Sequence, residues 1–291
     1  MEYFQGHSHC TKYENNTSAL TDISASIIQG SAISPASYVV HASDLVSITA
    51  GNSLCKYADD TYVIIPASNH LSRSAELDNI QTWANHNNLH LNRAKCVEIV
   101  FSQTRRRRPI DPPPPLPDIT RVSTIKILGV TITNKLSVSD HISSVIRSCA
   151  QSLHALRTLR HQGMDQELLQ TVYRAVIIAK LMYASSAWTW WGFTTAADRQ
   201  PLESFLRRAR RSGLYHTDRP TVAQLAEDAD DTLFSSVTRS SNHLLHVLLP
   251  EHTNHPYHLR SRTHSFKLSN QHDDRNFIDR MLFTHAYSVC V

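Results

Sequence analysis

Lys56-Tyr57-Ala58-Asp59-Asp60-Thr61 sets two adjacent carboxylates between short apolar runs. Ser53-Leu54-Cys55 stand upstream and Tyr62-Val63-Ile64-Ile65 downstream, closed by Pro66. The pattern predicts a tight β-hairpin over residues 54–65, with Asp59 and Asp60 at or near its turn. Adjacent carboxylates repel each other, and a bound divalent cation relieves that repulsion. Magnesium takes oxygen ligands and is commonly held by one or two carboxylates plus substrate phosphates. Manganese is an alternative with the same taste for oxygen. The chemistry indicated is two-metal phosphoryl transfer, with Asp59 and Asp60 as metal ligands. A plain structural explanation stands beside it, because Asp favours turns and tolerates left-handed backbone. The surrounding sequence has to decide.

Thirty residues before Asp59 stands Gln29-Gly30-Ser31-Ala32-Ile33-Ser34-Pro35, followed by Tyr38-Val39-Val40-His41-Ala42-Ser43-Asp44-Leu45. Downstream come Trp83, then Asn88-Leu89-His90-Leu91-Asn92-Arg93-Ala94-Lys95, and Ile125-Lys126-Ile127-Leu128-Gly129-Val130-Thr131-Ile132. In order and spacing these segments resemble the reverse transcriptases of non-LTR (LINE-like) retrotransposons. The match is to their Q-G-x-x-x-S-P segment, Tyr-Ala-Asp-Asp hairpin and Y-L-G-V primer-grip strands. The resemblance covers roughly residues 20–215. It implies that Asp59 is the main metal ligand and Asp60 its neighbour. It also implies that Gln29, Gly30, Tyr57 and Lys95 lie near template or incoming nucleotide, and that Leu128 and Gly129 form the primer grip. Gly30 would let backbone approach a base or sugar closely. Lys95 reads equally well as a solvated charge after a turn, and Gly129 as an ordinary strand glycine.

By the same resemblance, a third carboxylate should come from an earlier strand with a pattern like F-x-D-x-x-x-A-F-D. Only 28 residues precede Gln29, and Asp22 is the one aspartate among them. It is followed by Ile23-Ser24-Ala25-Ser26 and stands too close to Gln29 for a strand, a helix and a return, so it is rejected as the third ligand. A carboxylate bridging both ions helps hold them about 3.5–4 Å apart. The expectation is a truncated reverse transcriptase, inactive by itself, with loose magnesium binding.

The 291 residues are 41% hydrophobic and 19% charged, within the range of one or two globular domains. The net charge of +4 permits nucleic-acid contact without demanding it. Cys10, Cys55, Cys96, Cys149 and Cys290 are odd in number, widely spaced and form no C-x-x-C pair, which argues against a zinc knuckle and a secreted disulfide framework. No apolar run reaches the ~18–20 residues that span a bilayer, and no signal peptide is evident. The expectation is an intracellular protein without a membrane segment.

The chain must position the carboxylates with ordinary elements. A buried helix or turn-helix is expected over 26–50, with Tyr38, Val39, Val40 and Leu45 apolar, and an amphipathic helix over 71–87 that packs on the sheet. A strand is expected at 96–101. Arg105-Arg106-Arg107-Arg108 then precedes six prolines in the nine residues 109–117, an extended linker. Those arginines read as a solvated loop, a phosphate grip or an import signal. From Asp140, a plausible N-cap, Ile142, Val145, Ile146, Cys149, Leu153, Leu156 and Leu159 form one helical stripe, stopped by Gly163. Further helices are expected over 165–185 and 199–211, two over 221–249, and a short one near 277–283. In the 199–211 helix, Arg199, Arg207, Arg208, Arg210 and Arg211 oppose Leu202, Phe205 and Leu206, either a backbone-tracking face or a solvated one. Trp188-Thr189-Trp190-Trp191 reads as packing more readily than as base stacking.

The expected class is α+β: a partial antiparallel palm of a right-hand polymerase, then an all-helical thumb. The expected division is a palm over 1–101, a linker over 102–118, a primer-grip pair over 119–135, a thumb over 136–250 and a polar tail over 251–291. The partners implied are an RNA template, a DNA primer and deoxynucleoside triphosphates. A non-catalytic binder of RNA or RNA–DNA hybrid is the rival expectation.

Overall fold

A computed structural model of the chain describes residues 8–22, 32–102, 111–188, 193–253, 264–270, 273 and 275–286. Two compact units emerge, Met1–Glu98 with Asp111–Arg121, and Ile99–Ile110 with Val122–Val291. Small antiparallel strand pairs and helices share the chain, which agrees with the α+β class. No helix among the described residues is long and apolar enough to cross a membrane.

The first unit opens with a hairpin made of β1 (Ser8–His9), β2 (Lys12–Tyr13), β3 (Asn16–Thr17) and β4 (Thr21–Asp22). β1 pairs with β4 and β2 with β3, all antiparallel, and Glu14 turns the chain at φ 53°. Every residue of this hairpin is exposed, so no apolar alternation marks it in the sequence. Asp22 sits opposite Ser8 at its open end.

Helix α1 (Ser34–His41) carries Pro35 in its first turn, where the missing N–H costs nothing. The expected burial of Val39 and Val40 does not occur: they are 67% and 72% exposed. Successive helical residues point about 100° apart, so one covered face cannot take Tyr38, Val39 and Val40 together. Leu45, after the helix, is buried.

Strands β5 (Ser53–Tyr57) and β6 (Asp60–Ile64) pair along their whole length, from Ser53 opposite Ile64 to Tyr57 opposite Asp60. Helix α2 (Arg73–His86) buries Glu76, Ile80 and Ala84, an i, i+4, i+8 stripe. Asn88, at φ 55°, closes it: the Asn88 and Leu89 amides donate to the Asn85 and Ala84 carbonyls, a Schellman ending. Strands β7 (Val97–Ile99) and β8 (Thr120–Val122) form a further pair. Glu98 lies between Arg73 and Arg121, with Arg121 Nη2 at 2.7 Å.

In the second unit, β9 (Thr124–Ile127) and β10 (Val130–Thr133) make a hairpin whose two loop residues are Leu128 and Gly129. Helix α3 (Ser139–His161) carries the expected stripe into the core. Its N-cap is Val138, so Asp140 lies inside the first turn, where its charge faces the positive end of the helix dipole. Gly163 stops the helix as expected, at φ 88°. The helix expected over 165–185 is α4 (Gln166–Val172), a π turn at Tyr173–Ile178, and α5 (Ala179–Met182). α6 (Ser185–Trp188) is a single turn.

Helix α7 (Ala196–Arg211) starts before the expected residue 199 because Thr195 and Asp198 form a capping box. α8 (Val222–Arg239) is capped the same way by Thr221 and Gln224. The second helix expected before residue 249 is only a 3-10 turn at His246–Leu248. α9 (Phe277–Thr284) is the expected last short helix. The main core joins the α3 stripe to Leu169, Tyr173, Ile177, Trp188, Phe205 and Val222, among others. A smaller cluster holds Phe234, Val237, Phe266, Ile278, Met281 and Leu282, beside a buried Asp230–Arg280 ion pair at 2.7 Å.

Candidate functional site

The β5–β6 loop is two residues long, Ala58 and Asp59. Ala58 has φ 50° while Asp59 stays at negative φ, the pattern of a type II′ turn whose first position usually holds glycine. Asp59 and Asp60 are both exposed at this tip. Asp60 Oδ2 accepts a long bond from the Tyr62 hydroxyl at 3.4 Å. Tyr57, opposite Asp60, is 62% exposed. Tyr38 on α1 has a raised hydroxyl pKa, caused by burial and then by the Asp59 carboxylate.

The hairpin is held from behind. Lys56 Nζ donates to the carbonyls of Ala42 and of Leu45, the latter at 2.8 Å. Both carbonyls follow α1, so this lysine ties the exit of α1 to β5 two residues before the turn. Ahead of β5, Glu76 accepts from the Ile48 amide at 3.2 Å, the Thr49 amide at 2.9 Å and Asn52 Nδ2 at 2.8 Å. Burial pushes the Glu76 carboxyl upward, but these bonds outweigh it and hold the pKa below its ordinary value. Neither Lys56 nor Glu76 is singled out by sequence reasoning. The signal for Glu76 is its place on the Ile80–Ala84 face, where an acid needs a buried partner.

Asp59 and Asp60 offer a hard-oxygen donor set, with water or phosphate left to complete a shell, which fits magnesium. Among the described residues no group of three or more His, Cys, Asp or Glu gathers as a metal site. Lys95 is exposed in a 3-10 turn at Arg93–Lys95. Gln29 and Gly30 lie outside the described residues, as do Arg105–Arg108 and Trp190–Trp191.

The second unit sets Leu128 and Gly129 at the β9–β10 tip, with φ 45° and 88°, the type I′ pattern. The Tyr183 hydroxyl donates to the Leu128 carbonyl at 2.9 Å. Trp188 Nε1 in turn donates to the Tyr183 carbonyl at 2.8 Å, and its ring meets His141 edge-on at 5.3 Å. Trp188 is 1% exposed, so it packs the core and is not a stacking surface.

Arg207, Arg208 and Arg211 are exposed along α7. The acids of that helix are used elsewhere. Asp198 closes the capping box and Glu203 Oε1 accepts the Ala223 amide at 3.1 Å. No ion pair among the described residues engages these three arginines. Arg210 does not share their row. It is half-buried, donates to the Arg219 carbonyl at 2.6 Å and lies 5.7 Å from the Tyr215 ring centroid.

Residues 3–132 match the family "Reverse transcriptase (RNA-dependent DNA polymerase)". The chain is 30% identical to the RNA-directed DNA polymerase from mobile element jockey of Drosophila melanogaster, over 44% of this chain and 15% of that protein. It is 23% identical to the probable RNA-directed DNA polymerase from transposon X-element of the same organism, over 64% of this chain and 22% of the relative. A third relative, from transposon BS, is 23% identical over 72% of this chain and 24% of its own length. The chain therefore spans less than a quarter of these curated relatives. No solved structure matches it. The resemblance drawn from the motifs, to the reverse transcriptases of non-LTR elements, holds.

Proposed function

We propose that this chain, related to the RNA-directed DNA polymerases of mobile elements, carries the metal-binding hairpin of that chemistry: template-guided attack of a primer 3′-hydroxyl on a deoxynucleoside triphosphate. The observation that carries the reading is the two-residue turn that exposes Asp59 and Asp60 side by side, braced by Lys56. Asp59 and Asp60 would hold magnesium or manganese, which would supply charge stabilisation to the oxygens of phosphoryl transfer. Tyr57, Lys95, Gln29 and Gly30 are proposed to meet template or nucleotide, and the Leu128–Gly129 tip to meet primer. The hairpin unit is read as a partial palm and the helical unit as a thumb.

These 291 residues alone are proposed not to polymerise. Two adjacent carboxylates without a bridging third should hold cations loosely, and phosphoryl transfer rests on positioning and charge stabilisation. A primer-extension assay on RNA template with magnesium tests this. Product that Asp59→Ala abolishes overturns the inactivity; no product from either protein agrees with it.

A second reading is non-catalytic binding of RNA or RNA–DNA hybrid. The Arg207, Arg208 and Arg211 row favours it, because the acids of α7 are committed to backbone amides. Affinity that falls steeply with salt and is indifferent to Asp59→Ala supports that reading.

A further inference from the structure

Behind the end of α7 lies an open cleft of about 220 Å³, lined by Glu167, Gln170, Arg174, Tyr215, His216 and Arg219, among others. Its construction starts at the π turn. Arg174 is the second residue of that turn, and Tyr173 beside it is fully buried. The Tyr173 ring packs against Tyr215 at 5.7 Å between centroids, so the widened turn and the cleft floor are one packed body. Tyr215 is 4% exposed, and its hydroxyl donates to the Pro220 carbonyl at 2.9 Å. Arg210 fixes the opposite rim, because it donates to the carbonyl of Arg219 at 2.6 Å.

The cleft is electropositive. Arg174 and Arg219 are exposed, and neither has an ion-pair partner among the described residues. Burial raises the Tyr215 hydroxyl pKa above its ordinary value, and the charges of Arg210, Arg219 and Arg174 pull against that rise. His216 Nδ1 sits 3.1 Å from Asp218 Oδ1. Glu167 is the carboxylate on the rim. A planar guanidinium matches a phosphate in two-pronged fashion, which a lysine cannot do.

We propose that the Arg174–Arg219 cleft binds one backbone phosphate of a nucleic acid, at a site separate from the arginine row of α7. The inference rests on the nucleic-acid reading above and adds a specific phosphate contact to it. Glu167 opposes the anion and limits its affinity.

The test is fluorescence anisotropy of a labelled RNA–DNA hybrid with the full chain, at several salt concentrations. Wild type is compared with Arg174→Gln, Arg219→Gln, Glu167→Gln and Arg208→Gln. Each phosphate contact contributes about 0.7–0.9 to the slope of log affinity against log salt. Arg174→Gln and Arg219→Gln should each weaken binding about three- to fivefold and flatten the slope by up to about one contact. Glu167→Gln should strengthen binding, an effect that misfolding does not imitate. Unchanged affinity and slope in the Arg174, Arg219 and Glu167 variants, with wild type binding well, overturns the cleft and leaves the nucleic-acid reading standing. No binding by wild type overturns both. Equal binding of an aspartate-rich peptide, with the same dependence on Arg174, overturns the assignment to nucleic acid.

Discussion

The Tyr183 hydroxyl donates to the Leu128 carbonyl, and the same ring closes the space beside Gly129. A Cβ built on Gly129 would stand 3.1 Å from Tyr183 Cε1. Gly129 is therefore required twice, by its φ of 88° and by the ring over it. Gly129→Ala should cost about 1–3 kcal/mol from left-handed backbone and crowding together. Tyr183→Phe should cost about 0.5–1.5 kcal/mol, the net worth of one hydrogen bond. Denaturant unfolding of both variants checks the order; equal stability of Gly129→Ala and wild type would sink the account.

Ala58 stores strain at the other hairpin. A β-carbon at φ 50° sits where glycine is at ease. Ala58→Gly should relieve steric strain, but glycine loses more chain entropy on folding, so the net change in stability should stay within about 1 kcal/mol. The separable effect is on order at the tip. Magnesium titration by calorimetry should show weaker binding in Ala58→Gly than in wild type, and none in Asp59→Ala. Equal heats in all three proteins remove Asp59 from metal binding.

Glu98 makes the first unit sensitive to acid. Burial raises its carboxyl pKa, but Arg121 and Arg73 outweigh that and hold it below the ordinary glutamate range. A depressed folded pKa means stability that is present above the unfolded value, near 4.3, and lost as pH falls through the folded one. Glu98→Gln should cost about 1–3 kcal/mol at neutral pH and remove part of the acid-dependent loss below about pH 4.5. An identical pH–stability curve for variant and wild type would falsify this.

Asp230 has the opposite sign. Burial raises its pKa despite hydrogen bonds from Ser186 and Arg280 and the charge of Arg280. Stability from this site is fullest below the unfolded aspartate pKa, near 3.9, and declines as pH rises through the folded value. Arg280→Met leaves the carboxylate without its cation, and at neutral pH it should cost about 3–5 kcal/mol. Asp230→Asn in the same background should recover part of that loss. No recovery in the double variant argues that Arg280 acts by packing alone.

Much of this was legible in the residues. The α3 stripe and the two hairpins follow from helical and strand periodicity, and Gly163 marks its helix end. What escaped was polar. The Ser8–Asp22 hairpin has no buried face to betray it. Glu76 breaks the apolar pattern, and two of its partners are the Ile48 and Thr49 backbone amides, which carry no residue identity. Arg210 has the same residue type as its neighbours but lies on another side of the helix, and only the loop it meets distinguishes it. The π turn is hidden because Tyr173–Ile178 reads as continuous helix, and one extra residue per turn leaves no mark on composition.

The first unit is assembled from two stretches of chain, and its second stretch ends on Arg121. A fragment cut after Glu98 would keep the carboxylate and Arg73 while discarding the guanidinium that arrives from 23 residues further on. Limited proteolysis near the proline-rich stretch should therefore nick the backbone without freeing a self-sufficient N-terminal piece. Any shortened version made for study should run through Arg121.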